Sequence, residues 1–343
     1  MRRLRVLLLL QEGEVPPESE EELAKHDELG VVWANHELRQ TLRDLGHEVR
    51  AIGLSDELMP IRRTNEEFRP HIAFNQILVF HGTALYDAHV VGYLELLKLP
   101  YTGCDSRGII LASDKALAKK LLHYHRIRIP PFALVPLGRA PRRSEKLRYP
   151  LFVKSVVEHA SVGIAQASFV EDHDALCERV AFVHDHVGTD AIVEEYIEGR
   201  ELTVGVLGNQ RLTTFPVWEM TFRNLPEGTR PIATSQVKWN RSYQKKIGVA
   251  TDRARGLTPE QERAIQHTAR RVFRVLGMSG FARIDLRMAP DGRVFVLEAN
   301  PNPDLTFGED FAESAEAAGL TYDQLVQRIL NLGLRRRHGW KAS

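Results

Sequence analysis

The stretch GFARIDLRMAPDGRVFVLEAN, residues 280–300, decides how this chain is interpreted. Two runs in which polar and apolar residues alternate flank a central Pro-Asp-Gly turn, which is the pattern of a β-hairpin. Because neighbouring side chains of a strand point to opposite faces, Arg283 and Asp285 share one face of the first strand, and Glu298 and Asn300 share one face of the second. If these faces pair, one patch holds two carboxylates, an amide oxygen and a guanidinium.

Such a patch favours a magnesium site. Mg²⁺ takes one or two carboxylates from a protein and completes its shell with water and substrate phosphates. Arg283 beside it would neutralise charge on a transferring phosphoryl group. The same alternation places Val296 on the face of Glu298. The alternative is an ordinary solvent-facing hairpin, and the other segments of the chain have to decide between the two.

The N-terminal segment has an α/β pattern. Val6 to Leu10 form a continuous apolar run, as in a parallel strand that is buried on both faces. A helical pattern over 31–45 ends at Gly46, and strands are predicted at 47–52 and 71–74. A dinucleotide-binding dehydrogenase is disfavoured, because no Gly-x-Gly-x-x-Gly follows the first strand.

Two lysines lie where a lone cation is unfavourable. Lys154 ends the apolar strand 151–154, and a buried lysine needs an anion as partner. Lys115 lies in the first turn of a helix that Ser113 is predicted to cap, where the helix dipole disfavours positive charge. A bound anion would offset both effects, whereas a solvated lysine is the alternative for Lys115.

Two further segments are consistent with a nucleotide. The segment 155–163 forms the tip of a hairpin between strand 151–154 and a second predicted strand at 164–170, and its serine and glycine residues suit a mobile flap over phosphate oxygens. The segment from Glu194 to Glu201 sets carboxylates around a strand-to-strand connection. One of these acids could accept from a ribose hydroxyl while backbone groups pair with an adenine edge. A polar loop is the alternative.

Composition bounds the class of protein. The chain of 343 residues is longer than one hydrophobic core usually organises, so two or three subdomains are expected. A net charge of +1 gives no electrostatic case for nucleic acid or membrane partners. The two cysteines lack metal-site spacing, no apolar stretch reaches the length of a membrane helix, and the short apolar run near the N-terminus does not make a signal peptide. We expect a soluble cytoplasmic protein.

From about Phe80 to Leu334 the chain resembles the D-Ala-D-Ala ligase branch of the ATP-grasp superfamily. The motifs that carry the resemblance are, in order, Ser113-Asp114-Lys115, Phe152-Val153-Lys154, Ser161-Val162-Gly163-Ile164, Glu194 to Gly208, Gly280 to Asp285 and Leu297 to Pro301. The resemblance implies an ATP-grasp fold of mixed α/β and α+β class with a Rossmann-like N-terminal domain. We expect that domain over 1–112, a central lid over 113–198 and a catalytic subdomain over 199–343.

The resemblance also implies the role of each site residue and a homodimer. It assigns Lys115, Lys154 and Lys238 to the ATP phosphates, Ser161 to the phosphate-covering loop, Glu194, Glu195, Tyr196 and Ile197 to the adenine hinge, and Glu201 to the ribose. It assigns Asp285, Glu298 and Asn300 to Mg²⁺, with Mn²⁺ as an alternative, and Arg283 to the transferring phosphate and the tetrahedral intermediate. The implied reaction phosphorylates a small carboxylate with ATP and then couples it to a small amine.

The departures from the family pattern fall among the substrate residues. His81 matches a family histidine, but Tyr86 replaces a glutamate, Ala160 replaces a serine, and the segment that begins at Asn302 reads Asn-Pro-Asp-Leu instead of Ser-Pro-Gly-Met. The N-terminal Gly-Gly-x-Ser-x-Glu signature is missing. Tyr86 and Trp239 suggest a bulkier pocket, although both suit packing roles as well. We therefore expect a carboxylate–amine ligase of undetermined substrate and disfavour a D-Ala-D-Ala ligase itself.

Two other functions would use the same nucleotide site. An ATP-dependent phosphotransferase would release the phosphorylated compound, and the sequence does not separate it from a ligase. A nucleotide-binding regulator is disfavoured, because binding alone does not require the full set of lysines, arginine and metal ligands.

Overall fold

The structure, a computed structural model, describes residues 3–27, 30–142, 146–159 and 161–336, and for Trp239 it describes the backbone alone. Across these residues the strands form three sheets. The strands are β1 Arg5–Gln11, β2 Glu48–Leu54, β3 Ile72–Asn75, β4 Phe132–Val135, β5 Leu151–Ser155, β6 Phe169–Val170, β7 Ala191–Glu195, β8 Arg200–Gly208, β9 Leu212–Thr214, β10 Trp218–Phe222, β11 Val249–Arg253, β12 Gly280–Met288 and β13 Val294–Asn300.

The helices connect and cover these sheets. They are α1 Glu20–Leu23, α2 Val31–Asp44, α3 Met59–Phe68, α4 Asp87–Leu96, α5 Ser106–Ser113, α6 Lys115–Tyr124, α7 His173–Phe182, α8 Ser235–Trp239, α9 Arg241–Ile247, α10 Pro259–Val275, α11 Asp310–Ala317 and α12 Tyr322–Arg335. Within the described ranges, no helix is long and apolar enough to cross a membrane.

The first sheet is parallel, with β1 between β2 and β3. Leu7 and Leu9 belong to a core that includes α4, whereas Leu8 and Leu10 belong to a core that includes α2 and α12. Helices on both faces explain why β1 is a continuous apolar run. The predicted α/β beginning is confirmed, and Gly46 follows α2 with a positive φ of 84°.

The second sheet, which we call the lid sheet, has the antiparallel order β4-β7-β5-β6. Helix α7 covers one of its faces with Leu176 and Val180. The predicted strand at 164–170 is wrong in length, because only Phe169–Val170 pairs with β5. The Ala165 amide donates to the Ser168 hydroxyl at 3.1 Å and closes a 3₁₀ turn over Gln166–Ser168 instead.

The third sheet has the order β11-β10-β8-β12-β13, and β9 pairs with β8. Helix α10 contributes Ile265 and Val272 to the core beneath Ile284 of β12. Phe281 of β12 and Phe74 of β3 belong to one common core, so the first and third sheets are packed together. The three sheets fall inside the expected ranges for the three subdomains, whose boundaries stay predictions.

Helix α6 begins one residue later than expected. The prediction that Ser113 caps it is wrong, since Ser113 is the last residue of α5. Asp114 is the N-cap, and its side chain accepts from the Leu117 amide at 2.9 Å. The carboxylate of Asp114 is a good cap because it satisfies a free amide and also offsets the positive end of the helix. Lys115 is therefore the first residue of α6.

Asp87 gives the fold a pH dependence. It is the first residue of α4 and is 3% exposed, and its Oδ1 has no hydrogen-bond partner among the described residues. Burial raises the pKa of Asp87 to about 7. An unfolded chain releases this proton near pH 4, so the free energy of unfolding falls as the pH rises from about 4 to about 7.

We predict that Asp87→Asn removes this fall in the free energy of unfolding. Relative to the wild type, the variant should gain up to about 4 kcal/mol of stability between pH 4 and pH 7, because an amide carries no charge to bury. Denaturant unfolding at several pH values measures the difference, with Asp56→Asn at an exposed position as control. Parallel stability curves for Asp87→Asn and wild type would contradict the prediction.

Candidate active site

The β12–β13 hairpin brings the predicted polar patch together. Asp285 lies opposite Glu298, and Arg283 lies opposite Asn300. The Asn300 amide donates to Asp285 Oδ2 at 2.9 Å, and Arg283 donates to both oxygens of the same carboxylate at 2.8 and 3.0 Å. Arg283, Asp285 and Asn300 thus contact one another, and Glu298 lies opposite Asp285, as the alternation predicts.

A β-bulge lies directly beside this patch. Asp285 pairs with Glu298, but Leu286 pairs with Val296, so Leu297 is the additional residue. The predicted face of Val296 is wrong, because the bulge shifts the alternation by one residue and turns Val296 into the core, where it is 1% exposed. The bulge thus separates the polar patch from the apolar half of the strand.

Glu298 faces two other elements of the chain. Lys115 Nζ lies 3.6 Å from Glu298 Oε1, and His159 Nδ1 lies 3.8 Å from the same oxygen. Burial alone would raise the pKa of Glu298, but Lys115 and His159 hold this pKa well below its usual range. The carboxylate is therefore ionised and able to bind a cation.

A second group of ion pairs lies under the lid sheet. Lys154 Nζ of β5 is 3.1 Å from Glu194 Oε1 of β7, and Lys119 Nζ of α6 is 3.3 Å from Glu194 Oε2. All three side chains are less than 8% exposed. Burial by itself would raise the pKa of Glu194, but the two ammonium groups lower it, so this carboxylate is ionised as well.

The connection from β7 to β8 is the predicted adenine hinge. The Arg287 guanidinium lies 5.1 Å from the ring centroid of Tyr196, donates to the Ile197 carbonyl at 3.3 Å and pairs with Glu201. Gly199 has a φ of 140°, and a Cβ at this position would lie 2.0 Å from a backbone oxygen of β12. Side-chain contacts and a close backbone approach therefore fix the hinge to the third sheet.

The flap, residues 155–163, contacts the segment that carries Lys238. Ser235 Oγ donates to the Ser161 carbonyl, and the Ser235 amide donates at 3.0 Å to the carbonyl just past the flap. Burial lowers the pKa of Lys238, and the neighbouring Arg283 guanidinium lowers it further. The flap is thus joined to α8, the helix that carries Lys238.

Other predicted site residues lie apart from this centre. Glu195 accepts from the backbone amide of Arg148 at 2.9 Å. His81 and Tyr86 are exposed residues of the N-terminal domain. Asn302 donates at 3.3 Å to a backbone carbonyl just after β3, and so links the end of the hairpin to the first sheet. Ala160 and the side chain of Trp239 lie outside the described residues.

Sequence reasoning missed three residues of the site. Lys119 lies one helical turn after Lys115, so helical periodicity could have found it. His159 reaches Glu298 from the flap, and no local signal in the sequence identifies that contact. Arg287 was placed on the correct face of the hairpin, but its contacts with the hinge depend on the pairing of β12 with β8.

The charge of the site calls for an anion. Five cationic side chains face four carboxylates in the region between the lid sheet and the third sheet; the cations are Lys115, Lys119, Lys154, Lys238 and Arg283, and the carboxylates are Glu194, Asp285, Glu298 and Asp310. A buried surplus of positive charge is costly unless an anion neutralises it. The amide and carboxylate oxygens of the hairpin suit a divalent cation that arrives with phosphate oxygens.

Comparison with known proteins identifies the family. The model of the family "D-ala D-ala ligase C-terminus" matches residues 126–331. The D-alanine–D-alanine ligase of Syntrophotalea carbinolica is 34% identical over 301 residues, covering 85% of this chain and 88% of that protein. The corresponding ligase of Pelotomaculum thermopropionicum is 30% identical over 302 residues, covering 84% and 89%.

A solved structure is similar over nearly the whole chain. It is that of D-alanine–D-alanine ligase from Bacillus anthracis complexed with ATP, with a TM-score of 0.73 and 23% identity over 97% of this chain and 98% of that one. Fold and site together define an ATP-grasp protein that is an ATP-dependent ligase. The chain belongs to the D-alanine–D-alanine ligase family.

We predict that Glu298→Gln leaves the fold intact and lowers the rate of ADP release by at least about two orders of magnitude, because a metal ion held by this carboxylate would stabilise the charge of the transition state by several kcal/mol. The rate is measured with a carboxylate–amine pair that the wild type accepts. Glu316→Gln, at an exposed position of α11, is the matched control. Normal ADP release by the Glu298 variant would remove this residue from the metal site.

Proposed function

We propose that this protein is a Mg²⁺-dependent carboxylate–amine ligase that works through an acyl phosphate. The observation that supports it best is the patch of Asp285, Glu298 and Asn300 across from the lid-sheet lysine Lys154. In the proposal these three oxygen-bearing side chains hold Mg²⁺, or Mn²⁺, against the ATP phosphates. A divalent cation there would withdraw charge from the phosphoryl oxygens.

The proposed reaction has two steps, and different side chains of the site act in each. In the first step a carboxylate oxygen attacks the γ-phosphorus, the bond to the bridging oxygen breaks, and ADP leaves. Lys115, Lys154 and Lys238 orient the phosphates and balance their charge. In the second step the amine attacks the acyl carbon, gives up a proton and displaces phosphate. Arg283, held in place by Asp285, stabilises the oxyanion of the tetrahedral intermediate.

The hinge and the flap bind the nucleotide in this proposal. The backbone from Glu194 to Ile197 binds the adenine edge, and the Glu201 carboxylate accepts from the ribose. Ser161 in the flap covers the phosphates and excludes water, which would otherwise hydrolyse an acyl phosphate. Closure of the flap is supported by its contacts with the Ser235 segment.

The substrate side is proposed to differ from that of a D-alanine–D-alanine ligase. A small zwitterion has little apolar surface, so its binding depends on a few charge-assisted hydrogen bonds. Tyr86 and Ala160 replace two polar family residues, and each lost partner costs about 1–3 kcal/mol. His81, Trp239 and Asn302 are the remaining candidates for substrate contacts.

A second candidate is D-alanine–D-alanine ligase activity itself. It is favoured by the names of the relatives from Syntrophotalea carbinolica and Pelotomaculum thermopropionicum. The homodimer that the resemblance implies stays a prediction in both cases.

One incubation series separates the candidates. The protein is mixed with Mg²⁺, ATP and pairs of carboxylates and amines, D-alanine included, and ADP and coupled products are measured by mass spectrometry. We expect ADP and an amide product with a pair other than D-alanine with itself. We also expect a hydroxamate when hydroxylamine replaces the amine, since it traps an acyl phosphate.

The other outcomes are equally informative. Dipeptide from D-alanine at about one turnover per second or faster, which is normal for enzymes, would establish the second candidate. Release of a stable phosphorylated compound without amide or hydroxamate would instead indicate a phosphotransferase.

A further inference from the structure

Lys119 is a buried cation to which the proposed reaction assigns no role. It lies one turn after Lys115 on α6, and its side chain is 2% exposed. Its Nζ lies 3.3 Å from Glu194 Oε2 and has no well-oriented hydrogen-bond partner among the described residues. Burial, together with the like charge of Lys154, lowers the pKa of Lys119 to about 8, although Glu194 opposes the shift.

The second lysine changes the charge of the pair beneath the lid sheet. Lys154 and Glu194 alone would form a neutral ion pair with a contact of 3.1 Å. The low effective dielectric of a buried site strengthens the attraction within such a pair, so Lys154 would gain little by turning to another anion. With Lys119 on the other oxygen of Glu194, one carboxylate serves two ammonium groups, and the trio keeps a positive charge.

A purely structural ion pair does not need this arrangement. A third buried charge adds a desolvation cost that a neutral pair avoids. That cost is offset if an anion binds beside the trio and takes over part of the contact with Lys154. The surplus positive charge is therefore typical of an anion-binding site. The N-terminal end of α6, where Lys115 lies, faces the same region.

We propose that Lys119 is a positioning residue for nucleotide binding: by sharing Glu194, it leaves Lys154 available to the nucleotide phosphates. This inference rests on the proposed assignment of Lys154 to the phosphates. Lys119 itself need not touch the nucleotide, because it acts through Glu194. The net charge of Lys119, Lys154 and Glu194 determines whether a substitution weakens nucleotide binding. Substitutions at position 119 can remove that charge or keep it.

The test measures the dissociation constant of a non-hydrolysable ATP analogue with Mg²⁺ by calorimetry, on the full chain. Lys119→Met makes the trio neutral and should weaken binding by about tenfold or more, the effect of roughly one charge at partly buried distances. Lys119→Arg keeps the positive charge of the trio at the same position. This variant should bind the analogue within about threefold of the wild type.

The matched control is Lys120→Met, the same change at the next, exposed position of α6. It should bind the analogue as the wild type does. Thermal unfolding of each variant checks the fold. A merely structural role of Lys119 would lower the stability of Lys119→Met without weakening its binding of the analogue.

Equal binding by Lys119→Met and wild type would overturn the inference, and so would binding by Lys119→Arg that is as weak as that of Lys119→Met. If Lys119→Met does not fold, Lys119→Gln gives the same test because it also removes the charge, and binding equal to that of the wild type would again overturn the inference. Failure of the wild type to bind the analogue would instead contradict the proposed function.

Discussion

The structure depends on a buried group of charges between the lid sheet and the third sheet that its own carboxylates do not neutralise. Glu298 holds Lys115, and Glu194 holds Lys154 and Lys119, at distances of 3.1 to 3.6 Å. Ion pairs at such depth contribute little net stability, because desolvation opposes their attraction. These pairs matter because their three ammonium groups share two carboxylates. A phosphate chain with a divalent cation can neutralise the remaining positive charge. The flap contacts two of these charges, since His159 lies beside Glu298 and the Glu158 carbonyl accepts from Lys115.

The residues proposed to bind the nucleotide and those proposed to contact the substrates lie on different kinds of structure. Lys154, Glu194 and the hairpin carboxylates project from paired strands, whose positions the ladder hydrogen bonds fix. The residues expected to contact the substrates lie in connections: Tyr86 in a 3₁₀ turn and Asn302 after the last strand. Connections accept substitution without loss of the core, so specificity can vary while the phosphate chemistry stays the same. This division fits a family member with an altered substrate side.

Local patterns predicted the parts of the fold and site that local physics determines. The buried strand β1 and the pairing of Asp285 with Glu298 follow from apolar runs and alternation, and the structure has both. The errors arose where neighbouring groups compete. Asp114 and not Ser113 caps α6, because its carboxylate accepts a hydrogen bond from a free amide and offsets the helix dipole. The bulge at Leu297 cannot be predicted from alternation alone. The contact of His159 with Glu298 joins residues far apart in sequence, so it required the tertiary structure.

A crystal structure of the protein with Mg²⁺ and a non-hydrolysable ATP analogue would test the proposed site directly. We expect a magnesium ion at about 2.1 Å from oxygens of Asp285, Glu298 and Asn300, with Lys154 Nζ in contact with a phosphate oxygen. We also expect Glu298 to exchange its contact with Lys115 for the metal. A nucleotide bound elsewhere, or an unchanged Glu298–Lys115 pair beside bound nucleotide, would contradict the proposed site.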